Sequence, residues 1–116
     1  MDEVEATPPA ILPRVAIVDD EPRMAEVLAM ILRSSRGDAP PLEVRTFTSP
    51  QAFLDALDAG PFDVLLSDLK MPRIGGVELT RRARARCPEL AVVLITAHAT
   101  IETAVAALKE GALDYL

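Results

Sequence analysis

Asp19, Asp20 and Glu21 stand directly after the apolar run Val15–Val18, Ser67 and Asp68 after Val64–Leu66, and Thr96 after Ala91–Ile95. A buried strand tolerates carboxylates least of all, so each run must surface where its polar residues begin. If the three runs are neighbouring strands, Asp19, Asp20, Asp68 and a hydroxyl converge on one small pocket. Clustered carboxylates repel one another and raise one another's pKa unless a cation neutralises them. Hard oxygen ligands, few in number, suit Mg²⁺, which takes one or two carboxylates and completes its shell with waters or phosphate oxygens. A carboxylate in such a place can also act as a nucleophile and carry a phosphoryl group as an aspartyl-phosphate. Thr96 could then bond a phosphoryl oxygen.

Each group alone has an ordinary explanation. Asp-Asp-Glu before Pro22 could cap a helix, Ser67-Asp68 could be a polar loop pair, and Thr96 could end a strand. That all three end successive apolar runs favours the shared pocket.

The elements that must position them follow from pattern. The three runs are short, continuous and rich in Val, Ile and Leu, as expected of strands buried on both faces of a parallel sheet. Glu43–Phe47 alternates instead and reads as a half-exposed edge strand. Leu113–Leu116 reads as a last short strand. Met24, Val27, Leu28, Ile31 and Leu32 fall at helical spacing and predict one apolar face, with Pro22 in the first turn. Ser49-Pro50 opens a second helix carrying Phe53, Leu54 and Leu57, which Gly60-Pro61 ends. A third follows Gly75-Gly76 with Leu79, Ala83 and Cys87 on one face. A fourth is expected from Thr100, as N-cap, through Ile101, Val105 and Leu108 to Gly111. Strands alternating with helices predict an α/β fold, a parallel sheet covered by helices on both faces and joined by right-handed crossovers. Ligands of such sheets bind beyond the carboxyl ends of the strands, where the strand order reverses.

Composition narrows the function. The 116 residues suffice for one domain, and 50% are hydrophobic. Aromatics make up only 3%, so an aliphatic core is expected. The net charge of −6 argues against a nucleic-acid or anionic-membrane surface. No apolar stretch approaches the roughly 20 residues of a membrane span, so no membrane contact is expected. The single Cys87 allows no internal disulfide, which suits a reducing, cytoplasmic setting. Residues 1–13, acidic and proline-rich, read as a flexible leader. Arg81, Arg82, Arg84 and Arg86 read as a solvated helix face near the favourable end of the dipole. His98 has no other His or Cys beside it and is not a zinc ligand.

The segments VAIVDDEP, VLLSDLKMPRIGG, VVLITAHAT and ALKEGALDYL together resemble the receiver domain of two-component response regulators, over residues 14–116. The wording TAHATIETAVAALKEGALDYL is most similar to the NtrC type, which precedes sigma-54-activating ATPase domains. The resemblance implies a doubly wound, flavodoxin-like fold with a five-stranded parallel sheet in the order 2-1-3-4-5. It implies that Asp68 accepts a phosphoryl group from a sensor histidine kinase. Asp20, Asp68 and the backbone carbonyl of Lys70 would bind Mg²⁺, with Asp19 acting largely through water. Thr96 would contact the phosphoryl group, and Tyr115 would be the aromatic that follows it. Pro72 and Gly76 match the loop after the acceptor, where the glycine is expected to relieve backbone strain. Lys70 and His98 match variable positions that tune phosphorylation lifetime. The family's lysine, its following proline and a final helix would come after Leu116. The resemblance thus implies a fragment of a longer protein, with an uncovered face beside Met24–Leu32 and a homodimer that buries it. Output, in transcription, would lie in parts not present here.

This reading describes a phosphoacceptor switch, not an enzyme turning over a metabolite. The competing reading is a Mg²⁺-dependent aspartyl-phosphate phosphatase or phosphotransferase, but those carry D-x-D after the first strand where this chain has Asp19-Asp20-Glu21. A nucleotide-binding module would need a Gly-rich loop there, and none is present.

Overall fold

In the computed structural model, residues 13–34, 42–95 and 114–115 are described. Five strands form one parallel sheet: β1 (Arg14–Val18), β2 (Glu43–Phe47), β3 (Val64–Asp68), β4 (Ala91–Ile95) and β5 (Asp114–Tyr115). Their order is 2-1-3-4-5, so β1 sits beside both β2 and β3, and the order reverses there. Helices α1 (Pro22–Ser34), α2 (Pro50–Ala59) and α3 (Gly76–Arg86) connect successive strands. The expected fourth helix, its Thr100 cap and the leader residues 1–12 lie outside the described residues. Pro13, expected within the leader, already offers its carbonyl to Glu43 N at 2.9 Å.

Alternation along the strands sorts the core into two layers. Ala16, Val18, Leu65, Val92 and Leu94 face α2 and α3 and meet Phe53, Leu54, Leu57, Leu79 and Ala83. Val15, Ile17 and Val44 face α1 and meet Ala25 and Ala29. Continuous burial holds for β1, from Val15 to Val18. It fails for β3 and β4, where burial alternates: Leu65, Val92 and Leu94 are buried, whereas Val64, Leu66, Ala91, Val93 and Ile95 are half-exposed. Among the described residues only α1 covers that second face, and it sits over β1 and β2.

Helix α1 departs from its expected orientation in the same way. Ala25 and Ala29 are buried, with Leu28 and Leu32 packed beside them, whereas Met24, Val27 and Ile31 are 46%, 46% and 53% exposed. Two overlapping apolar arcs run along this helix. The sheet selected the one whose small alanines permit close approach of the helix. The core is also less purely aliphatic than composition suggested. Phe47, Phe53 and Phe62 gather at one end with ring centroids 5.5–6.1 Å apart in tilted and edge-on contact. Arg14 lies 4.2 Å from the Phe62 centroid, and its guanidinium donates to Pro61 O at 2.7 Å and Glu43 at 3.3 Å.

Local signals set the helix ends. Ser49 Oγ accepts from Ala52 N at 3.3 Å, with Pro50 opening α2. Gly60 N closes α2 on the carbonyls of Ala56 and Leu57. The arginine run of α3 does more than face solvent. Arg84 donates to Leu90 O at 2.6 Å, and Arg86 binds Asp58 of α2 at 3.0 Å. Arg81 and Arg82 both bind Glu78, holding its carboxyl down to about 2, with the Arg81 bond the larger cause.

Candidate phosphoacceptor site

The carboxyl ends of β1 and β3 lie side by side through the register Val18↔Ser67, which carries Asp19, Asp20 and Asp68 to one place. Each offers a carboxylate oxygen, and these oxygens lie within 4.8 Å of one another. Asp19 is buried, Asp68 half-buried and Asp20 exposed. The triad is therefore graded from core to solvent, with Asp20 at the open side.

Backbone bonds hold the triad in place. Asp19 N donates to Phe47 O at 3.0 Å, tying the end of β1 to β2. Asp19 Oδ1 accepts from Glu21 N at 2.9 Å, and Glu21 O then takes the first helical bond of α1 from Ala25 N at 3.1 Å. The capping explanation of Asp-Asp-Glu is thus partly right: Asp19 orders the entry to α1 while also belonging to the cluster. Lys70 N reaches Asp68 Oδ1 at 3.4 Å, and Leu69 N donates to Ile95 O at 3.1 Å.

Burial pushes the Asp19 carboxyl above its ordinary value. The Glu21 N–H bond opposes this, and the negative charges of Asp68, Asp20 and Glu21 add to it. Three hard oxygen donors under mutual repulsion are the donor set a small divalent cation fits, Mg²⁺ among them.

Residues 69–76 fold back beside Asp68. Ile74 N donates to Pro72 O at 2.8 Å across Arg73, whose φ is 70°, a tight three-residue turn through the left-handed region. Gly76 N donates to Leu69 O at 2.8 Å, docking the start of α3 on the end of β3. A Cβ on Gly76 would stand 2.7 Å from Asp68 O and 2.9 Å from Leu69 Cα. Glycine is needed here for space, whereas strain had been expected; the strained backbone is at Arg73.

Of the residues expected at the site, Asp19, Asp20 and Asp68 are brought together, and the backbone of Lys70 adjoins them. Thr96 and His98 lie outside the described residues. Tyr115 is described only as backbone, paired with Leu94 in β5. Ser67 was read only as one half of a polar pair. It is buried, and its Oγ donates to Asp68 O at 2.9 Å. The signal for it was a hydroxyl inside an apolar strand, one residue before the acid.

Known proteins are similar to this chain along most of its length. The family model for the response regulator receiver domain matches residues 15–116. The chain is 40% identical over 100 residues to the DNA-binding transcriptional regulator NtrC of Klebsiella pneumoniae, covering 86% of this chain and 20% of that protein. It is 40% identical over 111 residues to the transcriptional regulatory protein FixJ of Azorhizobium caulinodans, covering 93% of this chain and 48% of that one. The chain thus spans half or less of the length of these relatives. Among solved structures, it is similar to a response regulator of Burkholderia pseudomallei with a phosphorylated aspartic acid, a calcium ion and citrate. That match has a TM-score of 0.78 at 28% identity, over 90% of this chain and 58% of the other.

Proposed function

This chain belongs to the response regulator receiver domain family, and on that premise we propose that Asp68 accepts a phosphoryl group from a phosphohistidine of a sensor histidine kinase. The observation that carries the reading is the convergence of Asp19, Asp20 and Asp68 at the carboxyl ends of β1 and β3. An Asp68 carboxylate oxygen bonds to phosphorus as the bond from phosphorus to the histidine nitrogen breaks. The transition state is loose, so placing the acceptor in line and offsetting charge matter more than activating it. Asp19, Asp20, Asp68 and the Lys70 carbonyl would hold Mg²⁺, which when bound neutralises charge on the phosphoryl oxygens. The aspartyl-phosphate and calcium ion of the Burkholderia pseudomallei relative support this assignment.

The product carries about two negative charges where one stood. Thr96 meets the new oxygens, and Tyr115 follows. Such a contact biases the conformational equilibrium because it exists only in the phosphorylated form. The chain acts as a switch and not as a turnover enzyme. Its output is transcriptional and lies in further domains, as the names of NtrC and FixJ support. No described helix is long and apolar enough to cross a membrane, which suits a cytoplasmic setting. The exposed apolar face of α1 supports a homodimer.

Incubation with acetyl phosphate and Mg²⁺ tests the reading. One hydroxylamine-labile phosphoryl group per chain, absent in Asp68→Asn, is expected. Labelling undiminished in Asp68→Asn overturns the acceptor assignment. Rapid multiple turnover of acetyl phosphate instead points to the phosphatase class.

A further inference from the structure

Among the described residues, the buried polar or charged side chains are Asp19, Ser67 and Thr80. Asp19 belongs to the acidic cluster. The two hydroxyls have no part in the chemistry above. Burying a hydroxyl is costly unless it is hydrogen-bonded, and packing alone does not call for one here. Ser67 is 1% exposed between its register partners Val18 and Leu94, both fully buried and apolar.

Both hydroxyls bond to the backbone that frames Asp68. Ser67 Oγ donates to the Asp68 carbonyl at 2.9 Å. Thr80 Oγ1 donates to the Gly76 carbonyl at 2.8 Å, and Gly76 N donates in turn to Leu69 O at 2.8 Å. The bare Cα of Gly76 lies so close that a Cβ there would meet Asp68 O at 2.7 Å. The Asp68–Leu69 peptide is therefore held at its carbonyl by the Ser67 hydroxyl and at its N–H by Ile95 O, 3.1 Å away, with the start of α3 packed against it. That peptide sets where the Asp68 carboxylate stands and how the chain enters Lys70, whose N–H reaches Asp68 Oδ1 at 3.4 Å.

We infer that Ser67 is a positioning residue for phosphoryl transfer to Asp68, acting through the Asp68 carbonyl and never touching the transferred group. The inference rests on the phosphoacceptor reading. In-line transfer tolerates little misplacement of the acceptor, so a freed peptide slows transfer and loosens the cation site while the fold persists.

The test compares residues 1–116 as wild type, Ser67→Ala, Ser67→Thr and the acceptor control Asp68→Asn. Initial rates of labelling by acetyl phosphate are read across a Mg²⁺ series, and thermal melts are read with and without Mg²⁺. At saturating Mg²⁺, Ser67→Ala is expected to label about three- to tenfold more slowly than wild type, the factor one neutral hydrogen bond is worth. Ser67→Thr keeps the hydroxyl and should recover most of the rate. The rise in melting temperature on adding Mg²⁺ should shrink in Ser67→Ala and return in Ser67→Thr. Should Ser67→Ala melt below the assay temperature, Ser67→Cys replaces it, with a feeble donor and the same expected order. Wild-type rates in Ser67→Ala, or equal slowing in Ser67→Thr, overturn the inference. So does a lower metal-free melting temperature with no loss of rate. Failure of the parent reading appears separately, as undiminished labelling of Asp68→Asn.

Discussion

Asp19 illustrates how one side chain orders a helix entry and joins an acidic cluster at some energetic cost. Burial and its acidic neighbours raise its pKa in the folded chain. Folding therefore takes up a proton at Asp19 in the window just above its unfolded pKa, and stability from this group falls as pH rises through the folded value. At neutral pH the charged form opposes folding. Asp19→Asn keeps an oxygen acceptor for Glu21 N, so in metal-free buffer at neutral pH it should raise the melting temperature by a few degrees. On the proposed Mg²⁺ assignment the same substitution should cut any rise in melting temperature that Mg²⁺ gives wild type; a lower metal-free midpoint would make Asp19 chiefly a cap. Glu78 titrates with the opposite sign. Its carboxyl, lowered to about 2 by Arg81 and Arg82, contributes above the ordinary glutamate range and loses that contribution as pH falls toward 2. Acid melts of Glu78→Gln should therefore converge with wild type at the lowest pH. Gly76→Ala forces a Cβ onto Asp68 O and Leu69 Cα, both backbone atoms that yield little. Overpacking of this kind costs about 1–3 kcal/mol, to be read from urea denaturation.

At the scale of elements, the loop between β3 and α3 carries strain that sequence alone concealed. Arg73 at φ 70° occupies a region that costs a residue with a Cβ about 1–2 kcal/mol. Arg73→Gly should stabilise the domain by up to about 1 kcal/mol, after the greater freedom of the unfolded glycine is subtracted. An increase in urea midpoint at unchanged slope is the expected signature. The orientation of α1 is open to a similar check. Ala29 is fully buried against the sheet and Met30 is 64% exposed. Ala29→Leu should cost about 1–3 kcal/mol by overpacking, whereas Met30→Gln, measured at a concentration where the chain is monomeric, should stay within about 0.5 kcal/mol of wild type. The reverse order would overturn the burial of the Ala25–Ala29 face of α1.

For the whole molecule, the sheet order places β1 between β2 and β3, and the site forms at that reversal. The exposed stripe of Met24, Val27, Met30 and Ile31 is large for a surface left to solvent. Sedimentation across a concentration series should reveal self-association that Ile31→Glu weakens. A monomer at every concentration would remove the dimer from the account.

Much of this was legible in the chain because it is written locally. Apolar runs, Ser49-Pro50, Gly60-Pro61 and Gly75-Gly76 mark elements through short-range sterics and hydrogen bonding, and alternation of strand and helix leaves few topologies. Acids at the ends of apolar runs marked the cluster for the same reason, since Asp19, Asp20 and Asp68 come where β1 and β3 end. What depended on distant partners was not legible. Which arc of α1 meets the sheet turned on how closely Ala25 and Ala29 let it approach. The gathering of Phe47, Phe53 and Phe62, the alternating burial of β3 and β4, and the crowding of Gly76 against Asp68 O are contacts across the fold. The place of Ser67 is set by its hydroxyl's bond to the Asp68 carbonyl, a contact that its position in an apolar strand does not announce. Periodicity reports what one segment prefers; tertiary packing decides between preferences of similar strength, because only there do the competing faces meet a partner of definite shape.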